Sequence, residues 1–516
     1  MRLLKAQTLE FVDFDDDRST PPYAILSHTW ASEEVSYQDM LQGAEHYSKK
    51  QGSRKIRLCS QQAIEDGLDF CWIDTCCIDK KSSAELSEAI NSMFRWYKSA
   101  KVCYTYLSDV PRLPPSSESP TPSTPNISAE THKTWKEKFA TSRWFTRGWT
   151  LQELIAPRHV NFFSNDWQPI GTKITLQWDI STITKIPSDV LAGANFLEHS
   201  ISRRMSWASS RTTTRIEDMA YSLLGLFNIN MPMLYGEGQR AFIRLQEEII
   251  KSSADTTIFC WTDPSATFAT GSGLLAPSPV HFAKSGSIER DGRSTPYRMT
   301  NMGLKLKVPI IPREGYKNEC VAFFPGVYGG LDHVFAQVVG IYLAKLQDEL
   351  YVRVDSNTLW GVNVTGLDDD ERPTSTLIVP QILGLAQEID ISRIQGVMFK
   401  AERPDSKTFL DPSSSAGESV IFYDFHKRAK DDALPKTVPV KWREREHRGH
   451  TMCTVWIELL LKELDEDEDG TCSGIWDVDR VSIIMGQHVT ETLKGVLRYT
   501  ASIQFWEGNL VVIVTI

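Results

Sequence analysis

The feature that most constrains the fold is an alternation of short apolar runs with helix-like segments between residues 23 and 164. Four runs, 23–27 (YAILS), 70–74 (FCWID), 102–107 (VCYTYL) and 160–164 (VNFFS), have the apolar, aromatic and β-branched composition of buried strands. Repeated strand–helix–strand order predicts a parallel sheet that is covered by helices and connected by right-handed crossovers.

The helices between these strands have recognisable boundaries. An apolar stripe at helical spacing predicts a helix over residues 53–67. Ser82 and Glu85 have the spacing of a capping box, which marks the start of the next helix. A later helix is predicted around residues 149–156, where Pro157 ends it. Because no hairpin signal separates the strands, we expect a flavodoxin-like strand order.

Composition and punctuation divide the 516 residues into three parts. An α/β domain is predicted over residues 1–170, with a Pro- and Ser-rich insertion at 111–130 that we expect to be mobile and dispensable for folding. A helical segment is predicted over residues 195–256. Residues 257–516 contain short β-like runs between Gly, Pro and Asp, which predicts a β-rich domain, either a sandwich or a barrel.

Charge and motif content exclude several classes of function. The chain has 56 Lys and Arg against 66 Asp and Glu, and this net charge of −10 argues against nucleic acid as a partner. No apolar run approaches the roughly 20 residues that span a bilayer, and no signal peptide is recognisable. The nine cysteines lack zinc-type spacing, which favours reduced thiols, a cytoplasmic location and no metal. Walker, Gly-x-Ser-x-Gly and His-Glu-x-x-His motifs are absent from the sequence.

Three segments combine aromatic and polar residues near predicted strand ends: 26–30 (LSHTW), 71–79 (CWIDTCCID) and 142–154 (SRWFTRGWTLQEL). Ligands of open parallel sheets bind outside the carboxyl ends of the strands, where the strand order reverses. In a flavodoxin-like order this crevice lies between the first and third strands. Sequence order therefore brings the first segment and the helix that carries Glu153 to one cleft.

Three blocks of the sequence resemble the fungal heterokaryon-incompatibility (HET) domain. They are residues 23–30 (YAILSHTW), 72–79 (WIDTCCID) and 147–154 (RGWTLQEL), in the order typical of that family. Residues 207–238 are similar to the segment that commonly follows this domain. The resemblance implies a role in non-self recognition between fungal individuals, in which activation kills the fused cell.

HET domains are in turn similar to Toll/interleukin-1-receptor (TIR) domains, some of which cleave NAD. In those enzymes the catalytic glutamate lies in a Trp-Cys-x-x-Glu-Leu motif on the helix after the third strand. Residues 149–154 (WTLQEL) occupy that place, with Thr150 at the cysteine position. The resemblance implies a TIR-like fold for the N-terminal domain and Glu153 as catalytic residue. It also implies NAD as a substrate and no bound cofactor.

Glu153 has the chemistry that this reaction requires. Cleavage of a glycosidic C–N bond passes through an oxocarbenium-like state, whose positive charge a carboxylate stabilises. The alternative is a structural role, in which Glu153 favours the helix dipole or pairs with Arg147. Trp149 could stack on a nicotinamide or adenine ring, and core packing is an equally good explanation for it.

Five further residues are candidate ligand-binding groups. Ser27 and His28 could contact ribose or phosphate, or could cap the following turn. Trp30 would line the same crevice. Asp74 could orient a ligand or cap the next segment, and Arg147 could hold a diphosphate or form surface pairs.

Two functions remain open on the sequence. The first is a TIR-like NAD glycohydrolase that kills the cell by depleting NAD. The second is a death-signalling scaffold without chemistry of its own, which self-associates or binds other incompatibility proteins. A cleft with an unpaired Glu153 beside aromatic rings would favour the enzyme, and a salt bridge between Glu153 and Arg147 would favour the scaffold.

Overall fold

The computed structural model describes residues 1–15, 19–112, 129–266, 272–292, 296–313, 319–329, 337–347, 349–363 and 374–380, and the backbone of eight strands between residues 394 and 515. The predicted insertion at 111–130 lies outside the described residues from 113 to 128. Within the described helices, none is long and apolar enough to cross a membrane.

A seven-stranded sheet forms the centre of the N-terminal part of the described chain. Its strands in chain order are β1 (Arg2–Lys5), β2 (Phe11–Asp13), β3 (Tyr23–His28), β4 (Phe70–Trp72), β5 (Val102–Tyr106), β6 (Val160–Phe163) and β7 (Pro169–Thr172). They are arranged in the order β2-β1-β4-β3-β5-β6-β7. The four predicted strands, β3 to β6, pair in parallel, and β3 lies beside β5 as predicted.

The parallel sheet predicted over residues 23–164 is confirmed for its four strands, but antiparallel strands outside that range extend the sheet at both edges. β1 pairs antiparallel with β4 and with β2, and β7 pairs antiparallel with β6. The sheet is therefore mixed. These edge strands are three or four residues long, and such short strands give little periodic signal in a sequence.

Helices connect the strands and cover both faces of the sheet. The helices of the described residues are α1 (Tyr37–Leu41), α2 (Ala44–Tyr47), α3 (Ser53–Glu65), α4 (Ser83–Ser99), α5 (Ala129–Ala140), α6 (Arg143–Thr146), α7 (Thr150–Ile155), α8 (Gln177–Thr184), α9 (Ser188–Leu191), α10 (Ile201–Ser206), α11 (Asp218–Tyr221), α12 (Leu224–Phe227) and α13 (Arg240–Ser252). Neighbouring strand residues point to opposite faces. On β5, Tyr104 contacts Gln62 of α3, whereas Cys103 contacts Glu153 of α7. The two helices thus cover opposite faces.

The capping box predicted at Ser82 is only partly formed. Ser82 accepts a hydrogen bond from the backbone of Glu85, as predicted, but the Glu85 carboxylate binds Arg2 and the backbone of Asp79. Residues 214–217 (TRIE) have the spacing of a second capping box, which predicts one helix with an apolar stripe from Ile216 to Phe227. The Glu217 carboxylate instead accepts from the backbone N–H groups of Gly236 and Gly238, and two short helices, α11 and α12, occupy these residues.

The part beyond residue 256 is rich in strands. A second sheet contains β8 (Glu289–Arg290), β9 (Tyr297–Thr300), β10 (Gly303–Pro312), β11 (Glu319–Gly329), β12 (Gln337–Gln347), β13 (Leu350–Val354), β14 (Trp360–Asn363) and β15 (Thr374–Val379), mostly in antiparallel pairs. The remaining strands are β16 (Ile394–Lys400), β17 (Thr408–Phe409), β18 (Val420–Asp424), β19 (Thr437–Glu446), β20 (Gly449–Lys462), β21 (Asp477–Met485), β22 (Thr500–Trp506) and β23 (Asn509–Thr515).

One apolar core joins the two sheets and the helices between them. Its buried side chains run from Leu3 in β1 through Trp207 and Leu245 to Val379 in β15. The segment after β7 therefore packs against the N-terminal sheet, which places its side chains next to the carboxyl ends of β3 and β4.

Candidate active site

A cavity of about 330 Å³ opens where β3 and β4 end and α7 begins. Six of the seven residues singled out in the sequence line it: His28, Trp30, Asp74, Arg147, Trp149 and Glu153. The seventh, Ser27, is fully buried behind the lining and contacts Glu153. The pairing of β3 with β5 brings the first and third motif segments to one cleft, as expected. The segment after β4 joins them there.

Glu153 is held by a hydrogen-bond chain that reaches into the core. The hydroxyl of Ser27 donates to Oε2 of Glu153 over 2.5 Å. The indole N–H of Trp144 donates to the same hydroxyl over 2.8 Å. Because Ser27 accepts from the indole, its own proton is directed at the carboxylate. Glu153 is only 6% exposed, so this contact fixes its position within the cavity wall.

The pKa of Glu153 is raised to about 8. Burial is the main cause, since it disfavours the charged form, and the negative charge of Asp74 adds to it. The hydrogen bond from Ser27 and the positive charge of Arg211 act in the opposite direction. Strongly perturbed carboxyl groups in a cleft are typical of functional sites.

Asp74 accepts two hydrogen bonds from residues at the end of β3. Nε2 of His28 lies 3.0 Å from its Oδ1, and the indole N–H of Trp30 donates to its Oδ2 over 2.8 Å. Lys55 donates to Nδ1 of His28 over 3.0 Å, which assigns the ring proton to Nε2. Burial raises the pKa of Asp74, but these contacts, led by that with His28, outweigh it and lower the pKa overall.

Trp30 forms one aromatic wall of the cavity. Its side chain is 45% exposed, although its indole N–H is bound to Asp74. The ammonium of Lys80 lies over the ring, 3.5 Å from the ring centre, which is a cation–π distance. The Trp30 ring is thus held at its edge by Asp74 and on one face by Lys80, and it contributes apolar area to the lining.

The salt bridge between Glu153 and Arg147 that a scaffold role would favour does not occur. Arg147 donates to the hydroxyl of Thr214 over 3.1 Å instead. Throughout the described part of the chain, no Lys, Arg or His lies within 4.0 Å of the Glu153 carboxylate as an ion pair. The carboxylate therefore faces the cavity without a neutralising partner in direct contact.

The opposite wall comes from residues that the sequence did not single out. Thr214, Arg215, Asp218 and Tyr235 line the same cavity. Tyr235 donates to Oδ1 of Asp218 over 3.0 Å, and the guanidinium of Arg215 lies 4.4 Å from the centre of the tyrosine ring. Burial raises the pKa of Asp218, and hydrogen bonds from Tyr235 and Trp149 oppose that effect. The aromatic Tyr-Gly-Glu-Gly stretch at residues 235–238 was the available signal for this wall.

Metal-binding clusters and reactive thiols do not accompany the cavity. Among the described residues, no group of three His, Cys, Asp or Glu side chains is arranged to hold a metal ion. Cys71 in β4 and Cys76 and Cys77 after it are buried free thiols; burial raises the pKa of Cys76, whereas a hydrogen bond with Cys59 lowers the pKa of Cys71. The chemistry of the cavity thus rests on carboxylates, cations and aromatic rings.

Comparison with known proteins identifies one of the two parts of the chain that line this cavity. Residues 23–153 match the family model of the heterokaryon incompatibility protein (HET). The chain carries a HET domain. A relative of known name, the vegetative incompatibility protein HET-E-1 of Podospora anserina, is 49% identical over 247 residues. The alignment covers 47% of the present chain and 17% of that protein, so the chain spans well under two thirds of its relative's length. No solved structure matches the chain.

The HET domain supplies the floor and one wall of the cavity. Its three motif blocks correspond to β3 and the two residues after it, to the end of β4 and the residues that follow, and to most of α7 with the residues before it. The match ends at Glu153, inside α7, whereas the wall that contains Arg215, Asp218 and Tyr235 lies beyond it. The cavity is therefore shared between the HET domain and the segment that follows.

Proposed function

We propose that this chain is a fungal heterokaryon-incompatibility protein that acts as a cell-death effector in the cytoplasm, through cleavage of NAD in the cavity described above. The HET domain and the name of its relative support the biological role. The similarity of HET and TIR domains supports the chemistry. The parallel strands β4-β3-β5-β6, and a glutamate on a helix between β5 and β6, are the features that support this similarity.

The observation that carries the proposal is the state of Glu153 at the cavity. The carboxyl group is buried, contacts Ser27 and has no cation in direct contact. The raised pKa means that the protonated form of Glu153 is favoured over the ionised form below about pH 8. A ligand that brings or develops positive charge nearby would stabilise that ionised form. Nicotinamide riboside groups do both, since the pyridinium ring is cationic and the ribose becomes oxocarbenium-like.

The proposed reaction balances without a cofactor. The bond between ribose C1′ and the pyridinium nitrogen breaks, and its electron pair leaves with nicotinamide. Water adds to C1′ and releases one proton, so the products are nicotinamide, ADP-ribose and a proton. Ionised Glu153 would stabilise the positive charge on the ribose, and Asp74 would add negative charge to the same region.

The other lining residues suit the remaining parts of a dinucleotide. Trp30, Trp149 and Tyr235 offer ring faces or edges to a planar base. Arg147 and Arg215 are cations of the lining that could bind phosphate oxygens. The volume of about 330 Å³ lies at the lower end of the range for small-molecule sites. Part of a dinucleotide would therefore extend outside.

The alternative is a scaffold that signals through self-association or through other incompatibility proteins. The exposed part of Trp30 favours it, because an exposed tryptophan is also a common anchor in protein interfaces. In that case the buried carboxylate would be a structural group, and replacing it would change cell death only through stability.

NAD cleavage by the purified full chain tests the proposal. Nicotinamide release is followed over time for the native protein, for Glu153→Gln and for Asp39→Asn. Asp39 is a matched control, because it is a buried carboxylate bound to His46 and Lys50 but does not line the cavity. We expect Glu153→Gln to lose about 100-fold or more of the rate, and Asp39→Asn to retain it.

Cell death in fungal hyphae that express the same variants completes the test. Death that persists in the Glu153→Gln strain without a fall in NAD would refute the enzyme and leave the scaffold standing. If the folded native protein releases no nicotinamide but still causes cell death, the enzyme hypothesis is also refuted and the scaffold hypothesis remains.

A further inference from the structure

We infer that Arg211, which lies beyond the HET domain, is a positioning residue of the site: it holds the start of α7 and supplies the positive charge that faces Glu153. The inference rests on the proposed function only in treating Glu153 as the working group. It adds a component that the match over residues 23–153 does not contain.

Arg211 forms hydrogen bonds with the start of α7 and with the residue that ends α6. Its Nη1 donates to the hydroxyl of Thr150 and to the carbonyl oxygen of Arg147, each over 2.8 Å, and its Nε donates to the carbonyl oxygen of Trp207. Thr150 is the first residue of α7, and Arg147 belongs to the connection from α6. One guanidinium therefore ties the helix that carries Glu153 to the chain after α10.

The charge of Arg211 has no carboxylate in direct contact. The side chain is 3% exposed, and within the described residues no ion pair includes it. Its Nη2 is buried and has no protein hydrogen-bond partner. Taking a guanidinium out of water is costly unless a negative charge compensates it. Burial lowers the pKa of Arg211 to about 9, and the charge of Glu153 is the influence that opposes this shift.

The charged and titratable groups that face Glu153 come from several elements. Asp74 follows β4, Tyr97 lies on α4 and Cys103 lies on β5. Asp74 disfavours ionisation of Glu153, whereas Arg211 favours it. Arg211 is thus the cationic member of the groups that influence the carboxyl. Removing the charge of Arg211 should therefore raise the pKa of Glu153 as well as destabilise the fold.

A second buried cation holds the other end of the same helix. The ammonium of Lys173 donates to the carbonyl oxygens of Leu154 and Pro157 over 3.2 and 2.6 Å. Lysine at a helix C-terminus interacts favourably with the helix dipole. α7 has only six residues, so on its own it would be marginal in water. Its position is therefore set by contacts at both ends, and both cations come from outside the HET domain.

Titration of the Glu153 carboxyl in the full chain tests the inference without relying on catalysis. Infrared difference spectra follow the protonated carboxyl between pH 5 and 10, and the band lost in Glu153→Gln assigns it. We expect Arg211→Gln to move the transition upward by about half a pH unit or more, and Arg211→Lys to move it less. Arg204→Gln is the matched control, because Arg204 is also buried and binds backbone carbonyls, but it does not influence Glu153.

Coincident transitions in the native protein, Arg211→Gln and Arg204→Gln would overturn the inference. If Arg211→Gln does not fold, a double-mutant cycle on the unfolding free energy at pH 9 replaces it. There the effects of Arg211→Met, which removes the charge, and Glu153→Gln should be non-additive, whereas those of Arg204→Met and Glu153→Gln should add; additivity in both pairs would overturn the inference. A shifted carboxyl in a protein that does not cleave NAD would refute the proposed function and leave the role of Arg211 intact.

Discussion

Nε2 of His28 lies 3.0 Å from Oδ1 of Asp74, so side chains as well as backbone hydrogen bonds join the ends of two adjacent parallel strands. Lys55 of α3 binds the other ring nitrogen of His28. A helix, two strands and the cavity wall are thus connected through one imidazole. The negative charge that this arrangement keeps on Asp74 acts on Glu153, and several measurable consequences follow from that pair.

Replacing Glu153 by glutamine should change how stability depends on pH. The folded pKa of about 8 lies above the unfolded value near 4.5, so the folded state holds an extra proton between these pH values. Stability of the native protein is therefore lost as pH rises from about 4.5 to 8. Glu153→Gln has no such proton, and we expect it to gain a few kcal/mol relative to the native protein by pH 9. Urea unfolding at a series of pH values measures this.

Asp39→Asn should show the opposite sign in the same experiment. Burial raises the pKa of Asp39, but hydrogen bonds from Lys50, Ser36 and His46 outweigh it and lower the pKa well below its usual range. That group stabilises the fold above the unfolded pKa, and its contribution is lost as pH falls. We expect Asp39→Asn to be less stable than the native protein at pH 7, and the difference to shrink as pH falls from the unfolded pKa of about 3.8 through the lower folded pKa. A constant difference across this range would contradict the assignment.

Replacing Asp74 by asparagine should lower the pKa of Glu153. The charge of Asp74 disfavours a second negative charge nearby, and asparagine keeps the shape without the charge. We expect the carboxyl transition to move downward by about half a pH unit or more in infrared titration. Asp39→Asn provides the comparison, and a transition that moves equally in both variants would exclude a specific effect of Asp74.

The rate of NAD cleavage should rise with pH up to about 8. The proposed role requires ionised Glu153, and kcat/KM reports the pKa of the free protein. Measurements of kcat/KM from pH 6 to 9 check this, with Asp74→Asn expected to reach its plateau at lower pH. A rate that falls across that interval would argue for protonated Glu153 as the active form.

Replacing Ser27 by alanine should destabilise the fold by about 1–3 kcal/mol, because the buried indole N–H of Trp144 would lose its acceptor. The carboxyl of Glu153 would lose a donor at the same time, and its pKa should rise. Thermal unfolding measures the first effect. Ser60→Ala is a suitable control, since Ser60 is also buried but contacts only the weak acceptor Sγ of Cys71. Equal losses in the two variants would contradict the special role of Ser27.

Gly148 should tolerate no side chain. A Cβ atom at this position would lie 2.5 Å from Cγ2 of Thr213, and the Gly148 N–H donates to the carbonyl oxygen of Thr212. Gly148→Ala would push residues 212–213 away from the start of α7, at a cost of about 1–3 kcal/mol. Unfolding measurements check the cost. Gly193→Ala is the comparison for crowding, because nothing lies within 4 Å of its Cβ position and only its positive φ is a strain.

The sequence specified the interior of the sheet better than its edges. Ile25, Trp72, Tyr104 and Phe162 in the four parallel strands are fully buried, and buried parallel strands have a dense apolar composition that is visible locally. The antiparallel edges, β1, β2 and β7, are short and depend on partners far away in the chain. The prediction of one helix from Ile216 to Phe227 was wrong for a related reason. The Glu217 carboxylate accepts hydrogen bonds from Gly236 and Gly238, which lie later in the chain, and not from its own helix.

The candidate site was predictable to the extent that strand order determines which loops meet. Ser27, Asp74 and Glu153 follow or face the ends of neighbouring strands, and their polar character at such positions was the signal. Arg211 had no such signal, and Tyr235 had only its Tyr-Gly-Glu-Gly stretch, because tertiary packing rather than strand topology brings Arg211 to the start of α7 and Tyr235 to the cavity. Residues of this second kind are seen only when the middle of the chain is placed against the sheet.

Lys173 and Arg211, the cations at the two ends of α7, also limit how this site can be transferred from one protein to another by recombination. A fragment cut at the limits of the family match would end within α7 and would lack both Lys173 and Arg211. The similarity to HET-E-1 extends over 247 residues, nearly twice the length of that match. Gene fusion could transplant a working cavity only if the exchanged segment carried the later residues too. A segment that keeps the whole cavity is then longer than the three motif blocks, and it extends past Tyr235 rather than ending at Glu153.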